Sequence, residues 1–396
     1  MNGKTVFTGG TLITTGGESQ KDLVIEDSKI ADIRDRGPLL PGETGVDCAG
    51  LYVGPGLVDI HVHGGAGCDF VSNDPKEILG AVNYHLRQGT TSIIPSALSI
   101  PFDELRRAIS TTREAASESD ATVLGYHVEG IYFDQTYRGG HLSEYVHDPD
   151  PAEYMPLIQG HGDFIRLWTL AVERPGALDL IAECRKAGIV TSVGHSQASY
   201  EDIMRAVDAG LTHSTHFVCV MGSLSMQALG NSTGKGYAPG VVETVLLRDE
   251  LTTEVIADGF HLHPAIIQLA VKCKGLDKVC LVSDAMKGAG LPDGDYFIGG
   301  QVSEVRGGIA IIKDRPEVIA SSVTPLMGML RFTHRKVGLR IADAWTMASL
   351  NPARVVGAHG SKGSLEIDKD ADVLILDRDL NVSMVYAKGC PVHLHM

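Results

Sequence analysis

The chain has 396 residues, 43% apolar and 21% charged, which leaves room for one large domain and a smaller one and excludes a disordered chain or a disulfide-stapled mini-scaffold. Acidic residues outnumber basic ones by 49 to 34, a formal charge of −15, and no dense Lys/Arg cluster is present, so nucleic acid is excluded as a partner. The seven cysteines (Cys48, Cys68, Cys184, Cys219, Cys273, Cys280 and Cys390) are scattered with no Cys-x-x-Cys pair, so reduced thiols are expected and any metal must rely on His and carboxylates.

The N-terminus lacks the apolar core of a signal peptide, and no later stretch is long enough to span a bilayer; a cytoplasmic protein with no membrane partner is expected. Residues 4 to 53 read as short β elements: Thr5-Val6-Phe7, Thr11-Leu12-Ile13, Leu23-Val24-Ile25 and Ile30 to Ile33, split by Gly, Ser and Asp turn signals. From about residue 55 short apolar runs alternate with helical patterns, beginning with a helix over Pro75 to Gln88 and the run Thr91 to Pro95. Further runs follow at Val123 to Val128, Arg166 to Ala171, Val190 to Val193, Leu211 to Thr215, Glu254 to Ile256 and Val279 to Val282. About eight strands alternating with helices predict an α/β fold, a (β/α)8 TIM-type barrel over residues 55–356. In the tail, Gly363-Ser364-Leu365, Ala371 to Leu376 and Val382 to Val385 are again strand-like. Residues 1–54 and 357–396 are therefore expected to form one small β-sandwich domain from both termini. The segment Gly230 to Gly236 resembles a phosphate loop, but it has three residues between its glycines and Gly236 after Lys235, so a nucleotide site is excluded.

The chemistry is concentrated at strand ends. In Val58-Asp59-Ile60-His61-Val62-His63 the two histidines are two apart on a strand and project to the same side, a pair suited to metal ligation or to hydrogen bonding beside a loop. His127-Val128-Glu129-Gly130 ends a second strand with an acid beside a glycine, where a carboxylate could approach a cation unhindered. His195, His216 and Asp284 end three more, so that six candidate ligands lie at five strand ends, on the face where barrel enzymes build their sites. His213 is an odd number of positions from His216, faces the other way on a regular strand, and is read as structural.

These motifs, with Gly54 to Asp59, Gly139-Gly140-His141, Gly194-His195-Ser196, Ile256 to His261, Gly290 to Gly294, Ala348 to Ala353 and Gly363 to Glu366, resemble the amidohydrolase superfamily, and within it the N-acetylglucosamine-6-phosphate deacetylases. The resemblance runs nearly the full length. It implies a principal metal site at Glu129, His195 and His216, and a second from His61 and His63 with Glu129 and Asp284. It also implies one or two divalent ions (zinc first, with iron or manganese able to accept the same donors), Asp284 as catalytic acid and base, Gly140, His141 and His261 as contacts to sugar and amide, and a homodimer. The implied reaction is hydrolysis of N-acetylglucosamine-6-phosphate to glucosamine-6-phosphate and acetate. An amidohydrolase for a non-sugar amide is the alternative.

The chain departs from the family in two places, and the first, Ile131-Tyr132 where the family has Pro and an aromatic, alters the pocket wall and not the metal site. Where the family reads Leu, an aromatic, Asn, Ala and Met, a segment that helps hold the sugar phosphate, this chain has Phe217-Val218-Cys219-Val220-Met221, and residues 222 to 240 contain no Arg to reach a phosphate. Cys219 and Val220 are carried over as substrate contacts, although ordinary packing also accounts for Cys219. Lys235 is the cation left in that loop, a substrate contact or a solvated charge, and it cannot copy the planar fork of Arg. Three substrates fit this departure: one that carries its phosphate in another pose, one that lacks it, or a different amino sugar.

Overall fold

The computed structural model describes residues 3–228 and 235–394, with the backbone alone for 225–228 and 235. Eight parallel strands form the barrel: β1 Leu57–Val62, β2 Thr90–Ala97, β3 Tyr126–Glu129, β4 Ile165–Leu170, β5 Val190–Val193, β6 His213–Ser214, β7 Thr252–Val255 and β8 Val279–Leu281. Closure runs through the Asp284 N–H, which donates to the His61 carbonyl at 2.9 Å. The expected (β/α)8 architecture is therefore present. The run expected from Val123 to Val128 is two pieces, because Gly125 has φ +152, a conformation that ends one piece before β3 begins.

Local chemistry sets the connecting helices. Over Pro75–Arg87 the Asp74 carboxylate accepts from the Lys76 N–H, and Pro75 occupies the first turn, where its missing N–H forfeits no helical hydrogen bond. Ile78, Ala81, Val82, His85 and Leu86 recur at helical spacing on the buried face. Tyr200–Ala209 begins with a reciprocal Ser199/Asp202 capping box.

Residues from both ends of the chain share a six-stranded sheet, in the order Cys390–Pro391, Val382–Ala387, Val373–Leu376, Tyr52–Pro55, Thr11–Thr14 and Gly17–Ser19. It packs on a four-stranded sheet from residues 4–47, with Phe7, Leu23, Ile25 and Ile30 meeting Leu12, Val53, Val373 and Ile375. The alternate residues Leu374 and Leu376 enter the main barrel core. Burial on both faces explains why this strand is apolar without alternation. Gly363-Ser364-Leu365, expected as a strand, is turn and irregular backbone, since Gly363 sits at φ +84 against Leu350 and Ala353.

Sequence patterns did not anticipate a four-stranded antiparallel meander, Gly294–Ile298, Gln301–Arg306, Ile309–Ile312 and Arg315–Ser322, inserted after β8. Met286, Ile298, Val305 and Ala310 form its small core. The phosphate-loop-like segment lies mostly outside the described residues, as does the side chain of Lys235, whose backbone pairs with Ala228 in a short hairpin. Among the described residues no helix is long and apolar enough to cross a membrane.

Candidate active site

Glu129 ends β3 at the mouth of the barrel, 3% exposed, with Gly130 immediately after it at φ +101. A Cβ at Gly130 would meet the Ser99 hydroxyl at 2.4 Å, so this turn requires glycine. Three other strand ends turn sharply at residues in the left-handed region: His195 (φ 51), His216 (φ 25) and Asp284 (φ 46). Such backbone costs about 1–2 kcal/mol per non-glycine residue and collects where side chains are aimed for function.

All six expected donors converge. Glu129 Oε1 lies 3.3 Å from His61 Nε2, 3.3 Å from His195 Nε2 and 3.1 Å from His216 Nε2; Oε2 lies 3.2 Å from His63 Nε2. Asp284 Oδ1 is 3.0 Å from His63 Nε2 and 3.6 Å from His61 Nε2. Glu129 thus stands between two groups, one with His195 and His216, the other with His61, His63 and Asp284.

Ring tautomers separate candidate ligands from hydrogen-bond donors. His61 Nδ1 faces Glu254 Oε2 at 2.9 Å, His63 Nδ1 faces the Ser96 carbonyl at 3.2 Å and His195 Nδ1 faces the Tyr137 carbonyl at 3.0 Å. Each of these Nδ1 atoms therefore donates, which turns an Nε2 lone pair inward. His141 is the reverse: its Nδ1 accepts from the Ser99 N–H at 3.1 Å, so the proton sits on Nε2, 3.8 Å from Glu129 Oε2. His141 is arranged to donate to a bound molecule. His261 Nδ1 lies 2.7 Å from Asp258 Oδ2; burial opposes its charge, but the Asp258 hydrogen bond raises its pKa, which favours a donor at Nε2 as well.

A divalent cation fits this set. Two ligands about 2.0–2.2 Å from one ion at a tetrahedral angle lie about 3.3–3.6 Å apart, and His195 Nε2, His216 Nε2 and Glu129 Oε1 are separated by 3.1–3.3 Å. His195 and His216 direct Nε2 atoms at each other at 3.1 Å, an opposition that a cation relieves. At the other group, without a cation, protons on His61 and His63 take that role. Burial opposes charge on His61 and His63, yet Glu129 and Glu254 hold His61 well above its ordinary value, and hydrogen bonds to Asp284 and Glu129 hold His63 at about 9. Burial likewise opposes ionisation of Glu129 and Asp284, but the facing histidines hold both below the usual carboxylate range.

These groups open into a cavity of about 370 Å³, lined by His63, Glu129, His195, His216 and Asp284 on one side and by Gly140, His141, Cys219, Val220 and His261 nearby, a volume suited to a small molecule. His61 lies behind this surface, fully buried, and His213 is turned away from it toward Glu254 at 3.2 Å and Thr252 at 2.6 Å. Burial raises the Cys219 thiol to about 12, so it lines the wall as a neutral group.

Glu254 is the main residue that sequence patterns missed. Fully buried, it accepts from His61 Nδ1 and from the His216 N–H at 3.1 Å, tying one member of each donor group. Its signal was a charge inside an otherwise buried strand. Glu254→Gln is expected to weaken cation retention at His61 by about 10–100-fold. Metal content after dialysis against graded chelator checks this, and unchanged retention would reduce Glu254 to a packing role. Arg138 and Arg315, also unanticipated, line the same cavity.

The sequence profile of the Amidohydrolase family matches residues 52–392. The N-acetylglucosamine-6-phosphate deacetylase of Vibrio furnissii is 31% identical over 337 residues, covering 85% of this chain and 81% of that protein. The N-acetylgalactosamine-6-phosphate deacetylase of Escherichia coli O157:H7 is 32% identical over 338 residues, covering 85% and 86%. Among solved structures, a mutant N-acetyl-D-glucosamine-6-phosphate deacetylase from Mycobacterium smegmatis, in complex with N-acetyl-D-glucosamine-6-phosphate, superposes with a TM-score of 0.88 at 28% identity, covering 98% of this chain and 99% of that one.

Proposed function

Because the chain belongs to the amidohydrolase family, in its N-acetylglucosamine-6-phosphate deacetylase branch, we propose that it hydrolyses the N-acetyl amide of N-acetylglucosamine-6-phosphate to glucosamine-6-phosphate and acetate. The observation that carries this reading is the convergence of Glu129, His195, His216, His63 and Asp284 on one cavity that His141 and His261 also line.

Glu129, His195 and His216 would hold a divalent cation, and His61, His63 and Asp284, with Glu129, a second; zinc suits these nitrogen and oxygen donors. When bound, the cation supplies Lewis-acid polarisation of the amide carbonyl and of the attacking water. Asp284 takes the proton as the water oxygen attacks the carbonyl carbon. It then delivers that proton to the amide nitrogen as the C–N bond breaks, so that an amine departs rather than an amide anion. His261, whose Nδ1 is held by Asp258, donates from Nε2 to the carbonyl oxygen as negative charge develops there. His141 donates from Nε2 to orient the sugar. The lowered pKa of Asp284 leaves it ionised, the form that can accept the proton.

The reading includes a homodimer in the cytosol. Exposed Leu224, Tyr237 and Leu247, around the paired strands Ser225–Ala228 and Lys235–Ala238, support an interface there.

The test is acetate release by metal-reconstituted protein from N-acetylglucosamine, N-acetylgalactosamine and N-acetylmannosamine, each with and without 6-phosphate. Turnover of the phosphorylated glucosamine derivative above the rest is expected. Preference for the galactosamine epimer would transfer the assignment to the activity of the Escherichia coli relative, and silence across the panel would overturn the amino-sugar reading.

A further inference from the structure

We propose that Arg138 and Arg315 form the anion-binding end of the catalytic cavity and hold the phosphate of the sugar from within the same chain. This deepens the deacetylase reading and rests on it. The loop 222 to 240 contains no Arg, so a guanidinium fork for a phosphate must come from elsewhere. Both Arg138, in the strip that leads into His141, and Arg315, at the start of the last strand of the inserted meander, line the cavity.

Three observations point to an anion. First, neither guanidinium lies within 4.0 Å of a carboxylate among the described residues, although acids exceed bases by 49 to 34. Arg36, Arg166, Arg331 and Arg378 also have no such carboxylate partner, but they donate to main-chain carbonyls and do not line this cavity. Second, donors remain unused. Arg138 commits one Nη1 donor to the Gln135 carbonyl at 3.0 Å, and its Nε is buried with no hydrogen-bond partner. Arg315 commits Nη1 to the Gly139 carbonyl and Nη2 to Gln301 Oε1, each at 3.0 Å, two of five guanidinium donors. A buried donor left unpaired is unfavourable, and a phosphate oxygen would satisfy it. Third, the two residues share one stretch of wall. The Arg315 bond to Gly139 brings it against the residue after Arg138, and Gln301 Nε2 donates to the Gly140 carbonyl on the same strip.

That strip continues into His141, so an anion held there is set at a fixed span from the Glu129 cluster. Glu317 also lines the cavity, but it is exposed, and two guanidinium groups outweigh its single charge. The pocket is thus polarised, with Glu129 and Asp284 at the hydrolytic end and two guanidinium groups against the single carboxylate of Glu317 on the wall formed by the loop and the meander.

The experiment compares kcat/KM for N-acetylglucosamine-6-phosphate and N-acetylglucosamine in the parent, Arg138→Gln, Arg315→Gln and the double variant, all metal-loaded. The expected result is a parent preference for the phosphorylated sugar that falls at least about tenfold in each single variant, through KM, and further in the double. If Arg315 only braces the loop, both sugars lose kcat/KM together and the ratio stays, which overturns the proposal. A parent that deacetylates both sugars equally also overturns it while the deacetylase reading stands. Calorimetric titration with inorganic phosphate provides an arm independent of turnover: binding weakened in both variants supports the anion site, and binding unchanged rejects it even where no sugar is turned over.

Discussion

Replacing Asp284 with asparagine is expected to lower kcat by about 10³–10⁴-fold while melting temperature stays close to the parent's, because one carboxylate serves as both base and acid in the proposed reaction. The substitution is nearly isosteric, and the backbone that aims the side chain is held by main-chain groups: the Asp284 N–H donates to the His61 carbonyl, and its own carbonyl accepts from the Ser322 N–H at 2.9 Å and from the Ser321 hydroxyl. Asparagine also tolerates the left-handed conformation seen there, at φ 46. What it cannot do is accept the proton from water and return it to the amine. Acetate release should therefore collapse in a folded protein, with thermal unfolding and metal content measured on the same preparation. Activity within about tenfold of the parent would remove Asp284 from the chemistry.

Stripping the divalent cation is expected to abolish turnover reversibly and to leave a protein whose stability and cation affinity depend on pH in opposite directions. In the metal-free protein burial opposes charge on His63, but Asp284 and Glu129 hold its pKa at about 9 against an ordinary 6.5. A raised histidine pKa contributes stability that is full below 6.5 and is lost as pH rises through about 9. For His63 alone this is of order 3 kcal/mol. Glu129 has the opposite sign: its depressed pKa contributes stability above 4.5 that is lost as pH falls below that value. The metal-free protein should accordingly melt highest between these limits and lower toward pH 9. Cation binding must displace the His63 proton, so apparent affinity should strengthen by about 50-fold between about pH 7 and 9. Competition with a chromophoric chelator at several pH values reads this directly. A flat profile would mean that the histidines are already neutral in the metal-free protein and that His63 carries no proton for the cation to displace.

Much of the site was legible because its residues obey short-range rules. A strand has a period of two, so His61 and His63 had to project together, and His213 had to diverge from His216. A carboxylate followed by glycine at a strand end marked Glu129-Gly130, where the structure has no space for a Cβ. Errors in element bounds arose where one glycine overrides an apolar run, as Gly125 does before β3 and Gly363 does beside Leu365. Glu254 and Arg315 were illegible for a different reason. Glu254 acts on His61 across 193 positions, and Arg315 meets Gly139 across 176, in both cases from strands whose own patterns say nothing about those partners.

The sequence by itself determined which side-chain types stand at the barrel's C-terminal rim and hence the class of chemistry, since periodicity and chain direction suffice for that. Only the tertiary structure decided which of the clustered histidines turn a lone pair inward and which turn a proton. That choice is made by the partner of the other ring nitrogen: Glu254 for His61, the Ser96 carbonyl for His63, the Tyr137 carbonyl for His195 and the Ser99 N–H for His141. Those partners are brought in by folding, and the proton on each ring follows the acceptor or donor it meets there.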